Sequence, residues 1–298
     1  MASDTEVAFI TGGGGTIGYG IAKACLDRGW RVVLADVSEA GMAAVVGKLG
    51  GPSDRLMAVN LDVRDPDAWQ EAAELVAGTL GEVTHLFNNA GVMSGNALIA
   101  GGNIETLSVE EWRWTTSINI DGVFFGLKTF VPRFKKTSRP THINITASMG
   151  GIVALKAPIP ISYSASKAAV AHMAAQLRTE LANQNITSIG ISVHYPGFVQ
   201  SDILNTSLRM MTDADLDNAE GAEGVPDGPG ADEELLGRYL LLAIDREIFH
   251  IFPDVEWQDV VRAYRSELDT SFDGKADPLY DDPTIPMVDL AHVSVLEG

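Results

Sequence analysis

The sequence predicts one doubly wound α/β domain: a parallel sheet of about seven strands with helices on both faces. Three observations carry this. Short β-branched runs alternate with stretches of helical spacing along most of the 298 residues, the pattern of successive βαβ units. The strand runs are apolar at nearly every position rather than at every second one, as strands covered on both faces are. No internal repeat and no linker divides the chain, so one sheet with right-handed crossovers accounts for residues 1–298 as a single domain.

The elements follow in order. "EVAFIT" is a strand and "TIGYGIAKACLDRG" a helix; "RVVLAD" and "EAGMAAVVGKLG" repeat the pair. "DRLMAVNLDV" reads as a third strand, and "PDAWQEAAELVAGTLG" as a helix with Pro66 in its first turn, where a missing N–H costs nothing. "VTHLFNNA" is a fourth strand. One long helix is expected over "SVEEWRWTTSINIDGVFFGLKTFVPRF", opened by Ser108 as N-cap with Glu111 three residues on. "THINITAS" is a fifth strand, a helix spans about Tyr163 to Asn183, "SIGISVHYP" is a sixth strand and "EIFHIFP" a seventh. Residues 205–234 are polar and rich in glycine and proline, with Met210 and Met211 near their start, which suits a lid over a substrate. After Pro253 an acidic helix and an irregular tail form an extended C-terminal segment, about 254–298.

Composition narrows the function classes. The chain carries 21 basic and 40 acidic residues, a net charge of −19. Such a surface repels nucleic acid and anionic membranes, so neither is an expected partner. No apolar run reaches the roughly 18–20 residues of a membrane span, and the N-terminus enters a strand without a basic, then apolar, leader. Cys25 is the only cysteine, which suits a reducing compartment, the cytoplasm. The histidines His85, His142, His172 and His194 lack metal-ligand spacing, so no metal is expected.

The stretch "FITGGGGTIGYG" joins the first strand to the first helix, and Gly13, Gly15 and Gly18 fit G-x-G-x-x-G. The pattern alone is weak. Here it opens a helix, whose unpaired N–H groups and positive dipole end attract a pyrophosphate, and glycine lets that group reach the backbone. A flexible turn is the bland reading, and consecutive glycines are a costly way to make one. The second strand ends at Asp36. A carboxylate there accepts bonds from the ribose hydroxyls and repels a 2′-phosphate. Val37, Ser38 and Glu39 follow, with nothing basic among them, and Arg31 lies roughly 16 Å back along the strand. NAD is favoured over NADP. Asp36 or Ser38 also suits the N-cap of the next helix.

"PISYSASKAAVAHM" sets Tyr163 four residues before Lys167, on one face of a helix. Alone, this spacing is as well explained by a solvated pair. A free phenol, with a pKa near 10, is a poor acid–base group at neutral pH. A neighbouring ammonium and an oxidised nicotinamide both favour the phenolate and are expected to lower that pKa.

With the glycine loop, "NNAG" and YSASK on one chain in this order, the sequence resembles the short-chain dehydrogenase/reductase family over about Val7 to Ser201. "TGGGGTIG" is similar to the family's TGxxxGxG, with Thr16 in place of the middle glycine, and also to the TGxxGxxG of its extended branch. "LDV" (Leu61 to Val63) stands where the family flanks the adenine, "NNAG" (Asn88 to Gly91) ends the fourth strand, and "YPGFVQS" (Tyr195 to Ser201) is similar to PGxVxT, with serine for threonine. The resemblance implies a Rossmann-like fold and a catalytic tetrad of Asn119, Ser148, Tyr163 and Lys167. It implies cofactor contacts from Gly12, Gly15, Thr16, Ile17, Gly18, Asp36, Asp62, Val63, Asn89, Ala90, Gly91, Tyr163, Lys167, Pro196, Gly197, Val199 and Ser201. Tyr163 then exchanges a proton with an alcohol or ketone oxygen, Lys167 holds the nicotinamide ribose, Ser148 donates to the substrate oxygen, and Asn119 holds a proton-passing water.

Substrate contacts are expected from three variable stretches, with Met93, Leu155, Phe198, Leu204, Leu208 and Met210 as the apolar wall. Ile152, Val153, Pro158 and Met211 lie in the same stretches, and at least half of the set is expected to pack the core instead. That wall and the long tail suit a bulky secondary alcohol or ketone, in the manner of family members that oxidise aryl alcohols. The family pairs into dimers and tetramers through the long helix and the YSASK helix. An NAD-linked alcohol dehydrogenase or ketone reductase is therefore expected. Two alternatives stay open: an epimerase or dehydratase that recycles NAD, and a non-catalytic NAD-binding regulator on the same fold.

Overall fold

The structure, a computed structural model, describes residues 5–93, 103–154, 159–197, 232–254 and 257–271. Seven strands form one parallel sheet in the order β3-β2-β1-β4-β5-β6-β7. They are β1 (Val7–Thr11), β2 (Arg31–Asp36), β3 (Leu56–Asn60), β4 (His85–Asn88), β5 (Thr141–Thr146), β6 (Ile189–His194) and β7 (His250–Ile251). The helices between them are α1 (Thr16–Asp27), α2 (Glu39–Lys48), α3 (Pro66–Thr79), α4 (Val109–Thr116), α5 (Gly122–Phe134), α6 (Ile161–Asn183) and α7 (Glu233–Asp245). β3 and β7 are shorter than their sequence runs, because pairing ends where the neighbouring strand does.

Alternate side chains of each strand serve opposite faces. On one face Ala8, Ile10, Val32, Leu34 and Phe87 are buried against α1, α2 and α7. On the other, Phe9 packs on Trp69 of α3 and Phe130 of α5, with ring centroids 5.8 and 5.2 Å away. Trp69 is fully buried, and its truncation to alanine would cost about 3–5 kcal/mol. α1 and α7 cross backbone to backbone. A Cβ on Gly20 would lie 1.9 Å from the Glu233 carbonyl, and one on Gly237 2.0 Å from that of Gly20.

Caps set several boundaries. Asp65 accepts from the N–H groups of Asp67 and Ala68, with Pro66 at the first helical position of α3. Ser108 and Glu111 form the full capping box of α4. The long helix expected after Ser108 is not continuous. A π turn, Ser117–Asp121, separates α4 from α5, as one added residue widens the helix there. α7 is a further helix, opened by Asp232, which accepts from the N–H groups of Glu234 and Leu235. It begins inside the stretch read as a lid; the rest of that stretch lies outside the described residues.

Where the sequence reads as one domain with a C-terminal extension, the chain divides into two compact units, Met1–Asp254 and Val255–Gly298. In the second, α8 (Gln258–Ser271) presents Val260, Tyr264 and Leu268 at four-residue spacing, all exposed. Among the described residues no helix is long and apolar enough to cross a membrane.

Candidate active site

Strand order reverses between β1 and β4, and a cleft of about 690 Å3 opens there at the carboxyl ends of the strands, the place where doubly wound sheets take ligands. Its floor is the glycine loop. Gly12 turns the chain with φ of +64°. Gly13 lies flat on β2, where a Cβ would come 2.7 Å from Leu34 Cα. Gly18 faces the loop, and a Cβ there would meet the Gly12 carbonyl at 2.3 Å. Gly15 is different: its nearest atom would be 3.4 Å away, and it is exposed. Its missing side chain therefore leaves room on the cleft side. Thr16 opens α1 and is not among the residues of positive φ, so threonine fits in place of the family's glycine. The N-cap of α1 makes no side-chain hydrogen bond. The first N–H groups of this helix are thus open to an anion, which fits the pyrophosphate of a dinucleotide.

Asp36 stands on the rim at the end of β2. Its Oδ2 accepts from Gly14 N–H at 3.0 Å and its Oδ1 from Ser38 N–H at 2.9 Å. Ser38 is the N-cap of α2, accepting from Gly41 N–H, so Asp36 is not the cap. Asp62 and Val63 line the same cleft. Asp62 is gripped by Arg64, whose Nε and Nη2 donate to its two oxygens at 2.6–3.1 Å. That guanidinium holds the Asp62 carboxyl below its usual range, and Asp62 raises Arg64 in turn. Arg64 is a basic group in the cleft wall, beyond the residues that directly follow β2. The "LDVR" run contained it.

β4 delivers "NNAG" to the centre of the cleft. The Thr11 hydroxyl accepts from the N–H groups of both Asn89 and Ala90 at 3.0 Å, and Asn89 Nδ2 donates to the Thr11 carbonyl at 3.0 Å. Gly91 lies against Lys167, since a Cβ there would sit 2.9 Å from Nζ.

The four expected catalytic residues come from three elements. Tyr163 and Lys167 lie in α6, with Lys167 Nζ 5.8 Å from the centre of the phenol ring. Both are buried. Lys167 Nζ donates to the Thr146 carbonyl at 2.9 Å, and burial pulls the amine down to about 8. Ser148 follows β5 in extended backbone, and its Oγ accepts from Gly150 N–H at 3.2 Å. Two backbone bonds from the end of β6 fix its neighbours: Ala147 N–H to the His194 carbonyl and Met149 N–H to that of Pro196. Asn119 occupies the π turn. Its Oδ1 accepts from Val92 N–H at 2.8 Å, and its Nδ2 donates to the Val92 carbonyl and to Ser166 Oγ, each at 2.9 Å. Both amide hydrogens of Asn119 are thus taken by protein, while its Oδ1 accepts one bond. Burial pushes the Tyr163 phenol up, and the hydrogen bond from Ser148 opposes this.

Pro196 and Gly197 follow β6, and Gly197 N–H donates to Asp254 Oδ2 at 3.0 Å. Asp254 is a second residue that sequence reasoning missed. Val199 and Ser201 lie outside the described residues, as do Leu155, Phe198, Leu204, Leu208 and Met210. Met93 is half-buried beside Val92, while Val153 is buried and packs the interior. His194 is fully buried at the end of β6 with both ring nitrogens unpartnered, and burial, with the charge of Lys167, pulls it down to about 3. The Tyr195 hydroxyl shares a hydrogen bond with His250 Nδ1 at 3.0 Å. Among the described residues no cluster of three or more histidine, cysteine or acidic side chains could hold a metal ion.

An uncapped helix end over a glycine loop, with buried Tyr163, Lys167 and Ser148 nearby, makes up the candidate site of this parallel-sheet protein. The family model of the short chain dehydrogenases matches residues 6–212, and the chain belongs to that family. It is 36% identical over 205 residues, 68% of its length, to a C alpha-dehydrogenase of Sphingobium sp. strain SYK-6, and spans 63% of the length of that relative. It is 29% identical, over 73% of this chain and 78% of the relative, to an NADP-dependent (R)-specific alcohol dehydrogenase of Lentilactobacillus kefiri. The crystal structure of a short chain dehydrogenase/reductase from Burkholderia phymatum in complex with NAD superimposes with a TM-score of 0.77 at 28% identity, over 90% of this chain and 95% of that one.

Proposed function

We propose that this chain is an NAD-linked oxidoreductase that interconverts a secondary alcohol and a ketone. The observation that carries the reading is the buried group of Tyr163, Ser148 and Lys167, with Lys167 against Gly91 in the wall of a cleft floored by an uncapped helix. The open N–H groups of α1 hold the pyrophosphate, and Asp36 accepts the ribose hydroxyls. NAD, when bound, supplies the hydride acceptor. Ser148 donates to the substrate oxygen and orients it. As the alcohol is oxidised, Tyr163 takes its hydroxyl proton; in reduction it returns one to the carbonyl oxygen. The ammonium of Lys167 favours the phenolate that this requires, against the burial that opposes it. Lys167 also holds the nicotinamide ribose, and the Pro196–Gly197 segment borders the nicotinamide.

NAD over NADP rests on the charge of Asp36 at the ribose rim; the NADP-dependence of one relative and the presence of Arg64 are what it must be tested against. The substrate is read as bulky and apolar, possessing an aryl group or a surface of that size. The similarity to a C alpha-dehydrogenase supports this, and of the six expected wall residues Met93 is the one among the described residues. Exposed Val109, Trp112, Phe124 and Ile161 on α4, α5 and α6 support a homodimer or homotetramer. The buried free thiol of Cys25 suits the cytoplasm. The test is NADH formation with a graded panel of secondary alcohols, from short aliphatic to bulky aryl, run with NAD and with NADP. Turnover of bulky members with NAD is expected. Turnover of short polyols alone, or a preference for NADP, would overturn the corresponding part.

A further inference from the structure

Ser166 is absent from the tetrad, yet it joins two of its members. It is fully buried. Its Oγ donates to the Tyr163 carbonyl at 2.7 Å and accepts from Asn119 Nδ2 at 2.9 Å. A serine bonding back to a carbonyl three residues earlier is common in helices. Here the same oxygen also takes a hydrogen from the amide of another element, and the direction of each bond follows. Asn119 Nδ2 can only donate, so the Ser166 hydrogen must point at Tyr163.

We propose that Ser166 is a positioning residue for the acid–base group. Asn119 grips the backbone of Val92 at both N–H and carbonyl, and Ser166 takes the remaining amide hydrogen and passes the connection to the first turn of α6. The chain Val92–Asn119–Ser166–Tyr163 thus fixes the tyrosine against the segment that follows "NNAG", where Gly91 also meets Lys167. The π turn is what brings this amide inward between the two elements. Both side-chain hydrogens of Asn119 are spent inside this clamp, on the Val92 carbonyl and on Ser166. Loss of the Ser166 hydroxyl leaves a buried donor without an acceptor and the tyrosine turn without its lateral tie.

The inference rests on the dehydrogenase reading for its kinetic arm only. Ser166→Cys keeps the volume and weakens the hydrogen bonds; Ser166→Thr keeps the hydroxyl and adds a methyl; Ser166→Ala removes the group. NAD affinity by calorimetry, kcat on the best alcohol, and ionisation of Tyr163 by ultraviolet difference titration against Tyr163→Phe are measured for each. The expected result is NAD affinity within about threefold of the unmodified chain, kcat down about tenfold or more in the Cys and Ala variants, and recovery of most of it by Thr. The Tyr163 titration midpoint moves in Cys and stays in Thr. A Cys variant with unchanged kcat, or a Thr variant as impaired as Ala, would overturn the proposal. Should no alcohol be turned over, the titration still decides: a midpoint unmoved in the Cys variant overturns it.

Discussion

Lys167 and Thr146 meet where α6 crosses the end of β5: the lysine Nζ donates to the threonine carbonyl at 2.9 Å, and the threonine hydroxyl donates to Asn89 Oδ1 at 3.2 Å. One amine is thereby tied to two strands and, through Asn89, to the glycine loop. Its ammonium has donors to spare for a ribose. The position of the lysine is set before any cofactor arrives.

That arrangement makes a prediction with a definite sign. Burial lowers the Lys167 amine from 10.5 to about 8, so between those values the unfolded chain binds more protons than the folded one. Stability carried by this group therefore rises with pH through that window, and is lowest below about 8. Lys167→Met should abolish the rise, seen as urea melts at the two ends of the window that no longer differ on this account. It should also lower kcat by about 100-fold or more. A variant that keeps the pH-dependent gain would show that the amine is not the group responsible.

The glycines of the loop should separate into two kinds. At Gly18 an added methyl meets the Gly12 carbonyl at 2.3 Å, whereas at Gly15 the nearest atom is 3.4 Å away. Gly18→Ala is expected to cost about 1–3 kcal/mol or more of stability through overpacking. Gly15→Ala should melt like the parent but bind NAD at least about tenfold more weakly, because its methyl enters the cleft. Calorimetry beside thermal melts checks both. Equal loss of stability in the two would contradict the separation.

Three histidines, His142 and His194 buried and His85 half-buried, predict acid sensitivity. His85 is pulled from 6.5 to about 4, chiefly by burial, and His142 and His194 to about 3 for the same reason. Protons bind preferentially to the unfolded chain below 6.5, so stability is full above that pH and falls progressively toward 4 and 3. His142, which shares a hydrogen bond with Ser192 at 2.8 Å, is the test position. His142→Gln should flatten the acid limb of a stability-against-pH curve measured between neutrality and about pH 4.

His194 predicts the opposite of the usual core substitution. Its ring nitrogens are buried without a partner, a cost that an apolar residue of similar size would remove. His194→Leu is expected to raise the melting temperature, and a fall would mean that the ring has a partner.

What the sequence made legible was periodicity and punctuation. Apolar runs located all seven strands, Pro66 and the Ser108–Glu111 box marked true helix starts, and the spacing of Tyr163 and Lys167 put them on one face. The π turn left no such mark, since one inserted residue changes neither composition nor period enough to see. α7 was hidden because its cap, Asp232, ends a polar glycine- and proline-rich stretch that dominates the local pattern. Ser166 read as a small neighbour of the motif; only the approach of Asn119 from another helix gives it a partner. The direction of the Tyr163 phenol depends on burial, which is a property of the packed site and not of the four-residue spacing. Arg64 was not legible because it lies far along the chain from Asp36, while the cleft draws its wall from the end of β3 as well as β2.

The most direct test of the account is a comparison of the unmodified chain with Tyr163→Phe in a single turnover with NAD and a bulky secondary alcohol. NADH formation in the parent, loss of about a thousandfold or more in the variant, and equal NAD binding in both are the predicted result. A variant that transfers hydride at the parent rate would contradict the central claim that Tyr163 carries the proton.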